Sequence, residues 1–116
     1  MYKFRVWEPS REKMHYEEFT NLIHIDYFGN IISNSDCNNI PMLFIDTFNG
    51  VEIYEGDIVQ FYYHGIKRIE PICKTKSSTY IGRSLNFYFH YIFYEIHNEA
   101  KPSIIGNIYK NSNLLL

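Results

Sequence analysis

A chain of 116 residues has room for one domain, and 46% apolar with 18% aromatic side chains is enough to pack a core without a disulfide or metal staple. A net charge of −2 excludes a globally basic nucleic-acid binder. The opening MYKFRVWEPSREK lacks the apolar stretch of a signal peptide, and no apolar run reaches the length of a membrane span, so a cytoplasmic protein is expected, with Cys37 and Cys73 as idle thiols.

The composition favours strands. Ile, Tyr and Phe are abundant and Ala100 is the sole alanine, although a bias toward Asn, Ile, Lys and Tyr is also what AT-rich coding produces. Charge is distributed unevenly: residues 1–57 carry a net −6, residues 58–94 a net +4 and residues 95–116 zero. Attraction within the fold or between subunits is the favoured explanation, and a basic patch for an anionic partner is the alternative.

In chain order, Tyr2, Phe4 and Val6 alternate with Lys3, Arg5 and Trp7, which is a strand pattern. Glu8-Pro9-Ser10-Arg11 reads as a turn, and residues 13–19 return as a second strand in preference to a short helix from Ser10. Leu22 to Phe28 is β-rich and ends at Gly29-Asn30, residues 33–39 form a polar surface loop, and Ile40 to Phe48 is the next strand. Asn49-Gly50 between apolar runs is the strongest hairpin signal in the chain. Gly56-Asp57 turns into the strand 58–63, and His64-Gly65 turns into the strand 66–74, where Pro71 predicts a sheet edge or a bulge. Leu85 to Tyr94 is apolar all round and poor in helix formers, so it is expected as a strand, with Leu85, Phe87, Phe89, Tyr91 and Phe93 on one face. Residues 104–109 close the chain as a short strand, and Leu114, Leu115 and Leu116 need cover, over a sheet edge or in a neighbouring subunit. The sum is six to eight short strands in a mainly β single domain, a barrel or a curled antiparallel sheet with short additional elements.

Three segments carry a family likeness. They are Lys3-Phe4-Arg5-Val6-Trp7 with Lys13-Met14, then Asn49-Gly50-Val51-Glu52-Ile53-Tyr54-Glu55-Gly56-Asp57-Ile58-Val59, and finally Ile104-Ile105-Gly106-Asn107-Ile108-Tyr109-Lys110-Asn111. In order and approximate spacing they resemble the KFRAW…KM, NGxEIYEGDIV and VIGNIYEN segments of the YopX-like family of small phage and prophage proteins. The lead into the middle segment, Met42 to Phe48, departs from the family's QYTGLKDKNG-like run, and residues 60–100 match no part of the pattern. The resemblance implies a mainly β fold over residues 1–116 with an SH3-like barrel, a phage or prophage origin, and self-association. It brings no catalytic residues. Phage accessory proteins of this size are expected to dock on a host or phage protein, including components of host defence.

The residues themselves offer few chemical signatures. Glu52, Glu55 and Asp57 read as scaffold, with Asp57 accepting backbone N–H groups while Ile53, Tyr54, Ile58 and Val59 pack. His15, His24, His64, His90 and His97 lack metal-ligand spacing, and there is no phosphate-binding loop or nucleophile motif, so no catalytic residue, metal or cofactor is expected. The candidate binding residues are Tyr62, Lys67, Arg68, Lys74, Lys76, Arg83, Tyr88, His90 and Tyr94, in a basic and aromatic stretch from Phe61 to Tyr94. Aromatics beside cations on a sheet suit a protein interface, or a nucleic acid or nucleotide held by stacking. An oligomeric assembly protein using the apolar C-terminus is the third expectation.

Overall fold

A computed structural model describes residues 3–16, 23–25, 31–33, 39–75, 77–84 and 86–115. The chain divides into two compact units, residues 1–44 and 45–116, with the boundary inside one strand.

In the first unit, β1 (Phe4–Glu8) pairs antiparallel with β2 (Lys13–His15), Trp7 opposite Met14, and with the start of β5 (Ile40–Phe48), Arg5 opposite Met42. β3 (Ile23–Ile25) and β4 (Ile31–Ser33) form a separate antiparallel pair. The expected first hairpin is present, so the rival helix from Ser10 is not. Its turn is closed by Arg11 N–H to Glu8 O at 3.3 Å, Glu12 N–H to Pro9 O at 3.2 Å, and a left-handed Glu12. The Glu8 side chain anchors it, meeting His15 Nε2 at 2.9 Å and Arg11 Nε at 3.5 Å. The expected one-sided alternation in β1 is replaced by burial of all five residues, including Arg5 at 3% exposure. The residues 17–22, 26–30 and 34–38, which hold much of the second expected strand, the Gly29-Asn30 turn, the polar loop and Cys37, lie outside the described residues.

In the second unit, the rest of β5 pairs with β6 (Val51–Tyr54) through Asn49-Gly50. Both turn residues have positive φ, +51° and +79°, the mirror-image turn whose twist matches that of the strands. At the next corner Asp57 Oδ2 accepts the Tyr54 N–H at 2.8 Å, and the chain enters β7 (Asp57–Tyr63). β8 (Ile66–Lys74) follows across His64-Gly65, a second turn of the same mirror-image kind, then β9 (Thr79–Ile81) and β10 (Phe87–Tyr88). The five-stranded sheet runs β10-β9-β8-β7-β11 and is antiparallel throughout, with β11 (Ser103–Asn107) returning beside β7.

Three expectations change. Strands number eleven among the described residues, because the sequence runs are broken into shorter pieces. Pro71 marks neither an edge nor a bulge: β8 is an interior strand and the β7–β8 register continues through Ile58 opposite Pro71. The Pro71 carbonyl accepts the Gly82 N–H at 2.8 Å, so its nitrogen faces the side where the β9 ladder ends and no partner is lost.

The third change is the largest. Among the described residues of the 85–94 run, only Phe87 and Tyr88 form a strand; the chain then coils into a wide turn, Tyr91–Glu95, in which Ile96 N–H reaches Tyr91 O at 2.9 Å, followed by α1 (His97–Ala100). Phe89, Ile92 and Phe93, at helical spacing, are buried, whereas His90, Tyr91 and Tyr94 are exposed. Each buried side chain contributes about 2 kcal/mol. That outweighs the mediocre helix propensity of the segment, and the tyrosine hydroxyls supply the polar side that a hydropathy reading misses.

The core of this unit is the inner face of the five-stranded sheet. Val59, Phe61, Ile72 and Ile81 pack with Ile53 of β6, with Phe89, Ile92 and Phe93, and with Ala100. Among the aromatic contacts, Phe48 stands edge-on to Phe93 at 5.2 Å, and Phe61 to Phe87 at 5.3 Å. The fold class is mainly β with curled antiparallel sheet, as expected.

Candidate functional site

The strand register assigns each candidate residue to a face. Side chains alternate along a strand, so the neighbours of Phe61 and Ile72, both core residues, point outward. Tyr62 stands opposite Lys67 on this outer face. Further along, Cys73 lies opposite Tyr80 and Tyr80 opposite Tyr88, the two tyrosine rings 5.0 Å apart. Tyr88 is 59% exposed and Tyr62 36%. This outer face is the candidate site.

The structure does not gather all the expected residues there. Arg68 follows Lys67 by one position and so turns to the inner side, where its guanidinium lies 5.1 Å from the Phe87 ring and bonds Glu70 at 3.1 Å. Lys74 alternates with Cys73 and shares the Arg68 side of β8, at its exposed end. Arg83 is exposed on the turn after β9. Lys76 lies outside the described residues. His90 and Tyr94 sit on the wide turn, their rings 5.2 Å apart, because the strand that was to carry them onto the sheet is helical.

Electrostatics define what these groups offer. Burial pushes the Cys73 thiol up; Arg83 pulls it down, and Glu55 and Glu70 add to the rise. Burial and then Glu55 likewise raise Tyr109, which follows β11 beside the same corner. Groups that hold their protons are hydrogen-bond donors and contact surface rather than nucleophiles. Tyr94 differs: its hydroxyl donates to the Asp46 carboxylate, and that bond, with burial and the Asp46 charge behind it, pushes it up to about 12. It ties the wide turn to β5.

Sequence reasoning included Tyr80 in the basic and aromatic stretch but passed over Cys73, which the strand pairing sets opposite Tyr80 on the same face. Cys73 carries a free thiol. Among the described residues no cluster of three His, Cys, Asp or Glu side chains is arranged to hold a metal ion, and no helix is long and apolar enough to cross a membrane.

Fold and site together define a small β protein with an aromatic outer sheet face. The YopX protein family model matches residues 3–116, and the chain belongs to this family. Its structure is similar to that of protein EF1440 from Enterococcus faecalis, at 21% identity and TM-score 0.65, covering 100% of this chain and 99% of that one. It is also similar to YopX from Bacillus subtilis, at 18% identity and TM-score 0.67, covering 98% and 95%. No curated protein matches the sequence.

Proposed function

We propose that this is a non-enzymatic accessory protein of phage or prophage origin that acts in the host cytoplasm by docking on a host or phage protein. The observation that supports it is the outer face, where Tyr62 and Tyr88 stand open and a half-buried Tyr80 lies against Tyr88, on a sheet whose other side is core. Tyrosine offers a large, stiff, amphipathic contact, and such residues dominate the energy of protein interfaces. The cations are dispersed: Arg68 is turned inward onto Glu70, and Lys74 lies on the opposite side of β8 from Lys67. A protein partner therefore fits this face better than a phosphate backbone, which needs aligned positive charge.

The test is photo-crosslinking in the host from a reactive phenylalanine at Tyr62 or Tyr88, with exposed Glu99 on α1 as the control. One protein captured from both sheet positions, and lost with Tyr80→Ala, supports the reading. Capture from Glu99 alone, or of nucleic acid whose binding falls steeply with added salt, refutes it.

A further inference from the structure

The middle of the outer face is occupied by the end of the chain itself. After β11, Asn111 folds back: its Oδ1 accepts the Asn107 N–H at 3.1 Å, and its side chain lies against Gly106. Beyond it, Ser112–Leu115 make a single 3₁₀ turn, closed by Leu114 N–H to Asn111 O at 2.9 Å, which packs on β8. Leu115 borders a cavity of about 210 Å³ whose other walls are apolar at Ile69 and Pro71 and polar at Glu70, Arg83, Ser84 and Asn86. At this belt Ile58 and Pro71 face each other and are buried, although their alternation points them outward. To one side lie Tyr62 and Lys67, to the other Tyr80 and Tyr88.

We infer that residues 112–115 are a displaceable strap, and that a leucine-bearing segment of the docking partner takes their place and joins the two tyrosine patches into one surface. The inference rests on the outer-face reading above. Three features make the strap movable. Its pivot is fixed, because Asn111 is held by Gly106 and Asn107. The strap is one turn of the weakest regular helix. Its two leucines are half-buried, one of them at the rim of a cavity, so few packed contacts are lost when it leaves. The chemistry of the incoming group is read from the strap: Ser-Asn-Leu-Leu shows that the belt receives a pair of aliphatic side chains preceded by polar ones. Two such segments cannot occupy it together, so exchange is competitive.

The test uses the full chain and a labelled peptide of residues 110–115 as probe, followed by fluorescence anisotropy. Leu115→Asp, which unseats the strap, is expected to bind the peptide at least about tenfold more tightly than the unsubstituted chain, in which the belt is filled. Equal affinity for both proteins, or no binding to the variant, overturns the inference. Hydrogen exchange on the unsubstituted chain decides the matter independently of how that variant folds. The Leu114 and Leu115 amides are expected to exchange at least about a hundredfold faster than those of β7. Equal protection would make the strap part of the global fold and refute its displacement. Neither measurement involves the crosslinked partner, so failure here is distinguishable from failure of the docking reading.

Discussion

Replacing Gly106 by alanine tests the closing segment most sharply. Gly106 does not have a positive φ, so its backbone is open to any residue; what it lacks is space. A Cβ there would stand 2.5 Å from Asn111 Oδ1, 2.7 Å from its Cγ and 2.9 Å from its Cβ, distances that real contacts do not show. Asn111 must swing away and its bond to the Asn107 N–H is lost. A lost hydrogen bond costs about 1 kcal/mol, the donor left without it about 1 more, and residual crowding about 1–2, for a total near 3 kcal/mol. For a chain of this length that lowers Tm by roughly 10 °C. Circular dichroism during heating and urea unfolding reads both. Asn111→Gly removes the bond and the obstacle together, at about 1–2 kcal/mol. In the double variant the alanine methyl meets no side chain, so the combined cost should fall short of the sum of the two by at least about 1 kcal/mol. If Gly106→Ala lies within about 0.5 kcal/mol of the unsubstituted protein, or the two changes simply add, the steric account of this glycine is wrong.

Other expectations follow from single contacts. Asp57 is 3% exposed and caps the Tyr54 N–H, so Asp57→Ala should cost about 1–3 kcal/mol in urea unfolding while Asp57→Asn, which keeps an acceptor, costs less. The Glu8 carboxyl is held below its ordinary value, first by the hydrogen bond from His15 and then by the Arg11 charge, against burial. A depressed carboxyl adds stability that is present above its unfolded pKa and lost as pH falls through the folded one, so the urea midpoint should drop in acid, and less so in Glu8→Gln. Tyr94 has the opposite sign. Its pKa of about 12 contributes stability that is complete below the unfolded value and lost as pH rises toward 12. Alkaline titration of tyrosinate absorbance should therefore lose a component near pH 12 in Tyr94→Phe; an unchanged curve would refute the Asp46 bond.

How much of this was legible in the residues varied with the kind of signal. Asn49-Gly50 and His64-Gly65 placed two hairpins, and Ile40–Phe48 came out with its bounds intact, because a turn of this type demands positive φ at both positions and few dipeptides supply it. Pro71 misled because a proline is forbidden only where its missing N–H has a ladder partner, and which edge it faces is a tertiary fact. The run Leu85 to Tyr94 misled because its tyrosines counted as apolar, which hides the period. The discriminating feature was the phenolic oxygen, which lets Tyr91 and Tyr94 face water while Phe89, Ile92 and Phe93 are buried. The site inherited both limits. Tyr62, Lys67 and Tyr88 share a face, as alternation requires; Arg68 was separated from Lys67 by the same rule, and His90 and Tyr94 by the helical turn.

The order of strands in the five-stranded sheet also governs when it can be completed. β7 pairs on one side with β8, its immediate neighbour in the chain, and on the other with β11, roughly forty residues later. During synthesis the β7–β8 hairpin can form as soon as its turn has emerged, but one edge of β7 stays unpaired until nearly the whole chain has been made. Val59 and Phe61 lie on that waiting strand, so the nascent protein passes through a stage with a bare, apolar strand edge. The bulge between Ile104 and Gly106, together with Pro102 ahead of β11, then ends the sheet with a strand poorly suited to recruiting another. Slow closure followed by a blunted rim predicts a protein that aggregates as an unfinished chain and is safe once complete.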